Sequence, residues 1–179
     1  MRKIPVIIIL ACIGLFWNSG LAYSAIDVFL KIDGIPGEST DDDHRDEIEL
    51  LAWSWQMSAT GASHSGGSRA IVRPLIVTKY VDKASPLIFL ALLNGSHVPE
   101  ATLVFRKAGA RSLEYLKIKM YNVQFVNISH SGASGEDRLT ESVALFFSKV
   151  CYEYTPQKVD GSADAPIERC WDIEQNTER

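Results

Sequence analysis

The chain has 179 residues, 46% hydrophobic, 22% charged and 9% aromatic, a profile that excludes a disordered tail or a low-complexity fibre. One domain is the expectation at this length, with enough buried surface for a core that needs neither metals nor staples. The formal net charge is −4 and no segment is dense in Lys or Arg, which argues against nucleic acid as a partner.

Arg2 and Lys3 precede an uncharged run over 4–17. A membrane-crossing helix needs about 20 apolar residues, so this shorter run fits the apolar region of a secretory signal peptide. Ala22-Tyr23-Ser24 supplies small residues for cleavage after Ser24. The expectation is a signal peptide over 1–24, one domain over 25–179, and no stable membrane anchor. An uncleaved anchor is one alternative. Lipid attachment at Cys12 is another, opposed by the apolar residues 13–17 that follow it where a polar tether is expected. The mature chain keeps Cys151 and Cys170, and export places them in an oxidising compartment where two thiols have one way to pair. A bridge across an antiparallel hairpin and a pair of small buried hydrophobes are equal readings of these two residues.

Period-2 alternation dominates the mature chain. The first strand, over 26–32, ends at the turn Asp33-Gly34-Ile35-Pro36-Gly37. Asp41-Asp42-Asp43 reads as a solvated loop. Leu51, Trp53, Trp55 and Met57 fall on one face of a second strand, and the Gly- and Ser-rich stretch 60–68 reads as a flexible loop. Alternation returns over 71–80. Ser85 then suits an N-cap and Pro86 a first helical position, and Asn94-Gly95 suits a left-handed stop. Every residue over 86–93 is apolar, so this helix has no polar face, and something besides its own sheet must cover part of it. Further strands follow over 101–107, 113–128, 143–155 and 167–174. Strand 143–155 is apolar on both faces, which again asks for a second cover, either the helix or another subunit. The fold class expected is mainly β: an antiparallel barrel of seven to eight strands flanked by one α-helix.

Chemistry is sparse. His44, His64, His97 and His130 form no metal-ligand spacing, and the acidic residues around 41–49 lack the pattern of a calcium loop. Ser63-His64-Ser65-Gly66 and Ser129-His130-Ser131-Gly132 read as turn chemistry used twice. Glu136, Asp137 and Glu141 lie beside Arg138, which suits a local ion pair better than acid–base work. No G-x-S-x-G elbow is present. No enzyme activity, cofactor or metal is expected, and surplus apolar surface without a reactive constellation points to assembly.

Several blocks carry a resemblance. They are residues 25–39, Glu47-Ile48, Leu51-Ala52-Trp53-Ser54-Trp55, residues 78–86, Ala101-Thr102-Leu103, Arg106-Lys107-Ala108-Gly109, residues 135–141 and Tyr154-Thr155-Pro156-Gln157. Through them the mature chain resembles the haemolysin-coregulated protein (Hcp) family, the tube protein of bacterial type VI secretion systems. The resemblance implies a homo-hexameric ring, rings stacked into a hollow tube, effector proteins in the lumen, and tube-tip spike and sheath proteins as partners. It matches Trp53-Ser54-Trp55 to a lumen-facing strand, with Ser54 as the first candidate for cargo contact. It matches 60–73 to an extended loop that touches neighbouring subunits, so Thr60, His64, Ser65, Arg69 and Arg73 are interface candidates. The apolar helix adds Phe89 and Leu92. One departure stands out: the family's chains begin where this leader ends, at Ala25. The expected localisation is therefore secreted, periplasmic or extracellular if the leader is cleaved, and the alternative function is an exported binding module that has left the tube.

Overall fold

The computed structural model describes residues 26–60, 69–107 and 112–179. The expected leader, and the segment 61–68 with His64 and Ser65, lie outside the described residues. Among the described residues are one helix and twelve strands: β1 (Ile26–Ile32), β2 (Ile48–Glu49), β3 (Ala52–Ser54), β4 (Met57–Thr60), β5 (Arg69–Val72), β6 (Leu75–Tyr80), α1 (Ser85–Asn94), β7 (His97–Lys107), β8 (Leu113–Ser131), β9 (Thr140–Phe146), β10 (Lys149–Tyr154), β11 (Ile167–Asp172) and β12 (Thr177–Glu178). The fold is mainly β and antiparallel throughout its ladders, with α1 against β8. No described helix is long and apolar enough to cross a membrane.

β8 organises the sheet. Its one edge pairs with β7, and its other edge pairs first with β10 and then with β9. Leu116, Ile118 and Met120 face the core on even numbers, whereas Val123 and Phe125 do so on odd numbers. The change of phase occurs at Asn122, whose φ of 54° is left-handed, a conformation asparagine tolerates better than most residues. A bulge between Phe125 and Asn127 shifts the phase once more. One long strand thereby carries two branches of the same sheet: β10–β11–β12 on its first half and β9–β6–β3 on its second.

The strand count exceeds the seven to eight expected because several alternating runs are interrupted. The run 51–57 breaks at Trp55 and Gln56, and 71–80 breaks at Arg73-Pro74, where proline cannot donate to a ladder. Those two breaks face each other: Arg73 N–H donates to the Gln56 carbonyl at 3.0 Å. The run 143–155 breaks at Phe147-Ser148, opposite Asn122, and Ser148 N–H donates to the Tyr121 carbonyl at 3.1 Å. Segment 48–54 bridges the two ends of the sheet. Leu50 N–H donates to Val28 of β1 at 2.9 Å, and the next residue, Leu51, donates to Thr78 of β6 at 2.8 Å. One short stretch thus hands its hydrogen bonds from β1 to β6 and brings the barrel around.

The turn after β1 is also tight. Gly37 N–H donates to Asp46 at 2.7 Å and Ser39 N–H to Glu47 at 3.0 Å. A β-carbon on Gly37 would collide with the Glu47 carbonyl and the Ile48 backbone, and Ile48 is fully buried. Gly37→Ala is therefore expected to lower stability by about 1–3 kcal/mol, the usual cost of forcing backbone apart in a packed region. Chemical denaturation of the two proteins side by side measures it.

Candidate assembly surface

A buried charge cluster pins α1 to the barrel. Leu75, Val77 and Lys79 share the core-facing phase of β6, and Glu141, Val143 and Leu145 share that of β9. Lys79, Glu141 and His130 stand directly opposite one another across β6, β9 and β8. Lys79 Nζ contacts Asp82 Oδ1 at 2.7 Å, Glu141 Oε1 at 2.8 Å, the Tyr80 carbonyl at 2.8 Å and Ser85 Oγ at 3.1 Å. Ser85 donates to Glu141 Oε1 at 2.7 Å and accepts Asp82 N–H at 3.0 Å, while His130 Nε2 lies 3.1 Å from Glu141 Oε2. Ser85 is therefore not the N-cap. The cap residue is Ala84, whose N–H is held by Asp82 Oδ1 at 2.9 Å, and the Ser85 hydroxyl serves the cluster.

The helix presents its apolar surface in two parts. Ala84, Ile88 and Ala91 are buried, and Leu92 packs partly against the core. Leu87, Phe89, Leu90 and Leu93 are 41, 52, 57 and 67% exposed. The helix stops at Gly95, with φ 68°, as its glycine and the preceding Asn94 suggest. The second face of 143–155 is likewise open at Phe146, Tyr152 and Tyr154.

Strand β3 separates the three residues matched to a lumen. Ser54 is exposed opposite Ile76, in a row that continues to Ala144 and Asn127. A parallel row runs through Ala52, Thr78, Ser142 and Ser129, so this outward face is built mostly of small and hydroxyl side chains. Trp53 stands opposite buried Val77 and sets its ring edge-on against Phe105, centroids 4.7 Å apart. Trp55 packs edge-on to Phe147 and donates from Nε1 to the Arg73 carbonyl at 3.0 Å. β4 and β5 form a separate two-stranded arm, in which Thr60 and Arg69 are cross-strand partners and Arg73 sits at the base.

The acidic loop is not simply solvated. Asp42 and Asp43 are exposed, but Asp41 receives both terminal nitrogens of Arg106, at 2.8 and 2.5 Å, and Arg106 also reaches Asp27 at 3.1 Å. These charge-assisted bonds from Arg106 hold the Asp41 carboxyl down to about 2 against the opposing effect of burial; the amides of Asp43 and His44 assist. His44 is buried, stacks on Phe29 with centroids 4.1 Å apart, and bonds Glu47 at 2.9 Å. The local ion pair expected of Arg138 is not found among the described residues; its guanidinium lies instead over the Tyr80 ring at 4.0 Å.

The family model described as "Type VI secretion system effector, Hcp" matches residues 29–154. The chain belongs to the Hcp family. It is a type VI secretion tube protein, and it is 44% identical over 160 residues to the protein hcp1 of Pseudomonas aeruginosa, covering 86% of this chain and 99% of that one. The crystal structure of Hcp1 from Salmonella typhimurium is similar with a TM-score of 0.73 and 41% identity, over 87% of this chain and 99% of the other. A type VI secretion system effector from Yersinia pestis is similar with a TM-score of 0.70 and 35% identity, over 82% and 100%.

The Hcp blocks acquire a physical meaning here. Block 78–86 supplies Lys79, Asp82 and Ser85, and block 135–141 supplies Glu141. The cluster was missed from sequence, although a lysine and a glutamate each sitting on the apolar phase of a strand are its visible signal. Removing one partner of a buried pair strands the other. Lys79→Met alone is thus expected to cost about 3–5 kcal/mol. The double variant Lys79→Met/Glu141→Leu is expected to recover part of that loss; equilibrium unfolding gives both values. The Asp41–Arg106 contact predicts a separate acid response. A carboxyl whose folded-state value is depressed stabilises above its ordinary range and stops doing so as pH falls through about 4 toward about 2. Asp41→Asn should flatten that part of the stability–pH curve, read by urea unfolding at stepped pH.

Proposed function

We propose that six copies of this chain close into a ring, that rings stack into a hollow tube, and that effector proteins travel in its lumen. The observation that carries the reading is the unpartnered apolar face of α1: Leu87, Phe89, Leu90 and Leu93 stand in solvent on a helix whose opposite side is anchored by buried charges. A closed ring needs a heterologous contact between two different patches, and the exposed Phe146, Tyr152 and Tyr154 offer a second apolar region. Phe89 contributes to the contact directly, and Leu92 supports it from the core side. The arm carrying Thr60, Arg69 and Arg73 reaches neighbouring subunits or rings. Ser54, beside the row of small and hydroxyl side chains through Thr78, Ser142 and Ser129, faces cargo. Spike and sheath proteins are the partners outside the ring.

The role is structural rather than catalytic. Of the three carboxylates weighed for acid–base work, Glu141 is buried within the charge cluster, and Glu136 accepts the Ala133 amide at 3.1 Å in its own turn. Residues 1–24 act as a leader and 25–179 as the domain. Members of this family are secreted, and the leader adds a periplasmic or extracellular destination. The exported module that has left the tube is not favoured, since similarity extends over 99% of the Pseudomonas relative.

Size-exclusion chromatography with light scattering tests the ring. The expected mass is six times that of the protomer. Leu90→Glu/Leu93→Glu, which puts charge on exposed positions, should give folded monomers. A wild-type protein that stays monomeric at every concentration overturns the reading.

A further inference from the structure

Cys151 and Cys170 are direct partners in the β10–β11 register and are joined by a disulfide. β11 is weakly held at its start, where Ile167, Glu168 and Arg169 are exposed and one flank carries only the two-residue β12. Its end is ordered around the bridge. Arg179 N–H donates to the Cys170 carbonyl at 3.2 Å, and Ile173 N–H donates to Ser148 at 2.8 Å. Asp172 Oδ1 accepts Gln175 N–H at 2.8 Å, and Asn176 adopts a left-handed φ of 52°. The Asn176 side-chain carbonyl then accepts the backbone N–H of Ala70 in β5, at 3.1 Å and 106 residues away in sequence. A two-stranded hairpin is marginal on its own in water, so the pose of the β4–β5 arm depends on ties to the rest of the chain. Among the described residues these include the Gln56–Arg73 and Trp55–Arg73 bonds at its base and this one from Asn176, nearer its far end.

We infer that the Cys151–Cys170 disulfide sets the pose of the β4–β5 arm, with Asn176 as the positioning residue between them. In the oxidised chain β11 cannot peel from β10, the turn keeps its shape, and Asn176 stays on Ala70. A dithiol reductant opens the bridge by exchange. Its thiolate attacks one sulfur to form a mixed disulfide, its second thiol displaces that sulfur, both cysteines end as thiols, and the reductant leaves oxidised. β11 then frays, Asn176 leaves Ala70, and the arm loosens. The significance for assembly rests on the tube reading above; the coupling within one chain does not.

Hydrogen exchange by mass spectrometry tests it on the purified protein, with alkylation reporting the thiols. Amides over 69–72 should exchange about fivefold faster after dithiothreitol, the size expected from losing one net hydrogen bond. Asn176→Ala should show the fast rate while still oxidised, with no further change on reduction. Asn176→Asp keeps the acceptor oxygen and should retain the wild-type response. Cys151→Ser/Cys170→Ser should match the reduced protein. Unchanged exchange over 69–72 on reduction, or in Asn176→Ala, overturns the proposal, as do two free thiols in the protein before reduction. Running the set also on Leu90→Glu/Leu93→Glu separates it from ring formation, which light scattering reads independently.

Discussion

The interaction on which the architecture depends is the buried pairing of Lys79 with Glu141. Two charges removed from water are costly unless each is surrounded by partners, and here the side-chain partners come from different elements. Lys79 comes from β6, Asp82 from the turn after it, Ser85 from the first turn of α1, Glu141 from β9 and His130 from β8. The cluster is satisfied when these elements come together. An all-apolar helix has no polar face to tell it which side to bury, and hydrophobic contact alone is non-directional. The charges supply the direction: they place Ile88 and Ala91 inward and leave Phe89, Leu90 and Leu93 outward.

That outward face connects the fold to the family's work. A barrel whose core is complete within one chain still carries a greasy flank held in a fixed orientation. The sheet face bearing Ser54, Ala52 and Ser142 is mixed, with small and hydroxyl side chains beside the exposed Ile76 and Phe146.

Much of this was legible from residues alone. Alternation gave the β class, and Pro86 with Asn94-Gly95 gave the helix within a residue of its ends. The eight apolar residues from 86 to 93 announced an uncovered face. What stayed hidden was long-range. Ser85 looks like a cap because serine often is one, and only the approach of Glu141, 56 residues away, turns its hydroxyl elsewhere. The acidic loop looks solvated until Arg106 arrives from β7. The breaks at Trp55-Gln56 and Arg73-Pro74 are half legible, since the proline marks one and the other depends on facing it. The positions of Trp53 and Trp55 follow from register with β6 and β5, which alternation within one strand does not supply.

The handover at Leu50 and Leu51 carries one more consequence. Because a single short stretch satisfies both β1 and β6, those two strands do not offer their backbone to outsiders along that seam. Edge-to-edge sheet extension, the route by which β-rich chains aggregate irreversibly, is closed off there. A copy that docks against that seam therefore meets side chains rather than free ladder groups, and a contact of that kind separates without unfolding either partner.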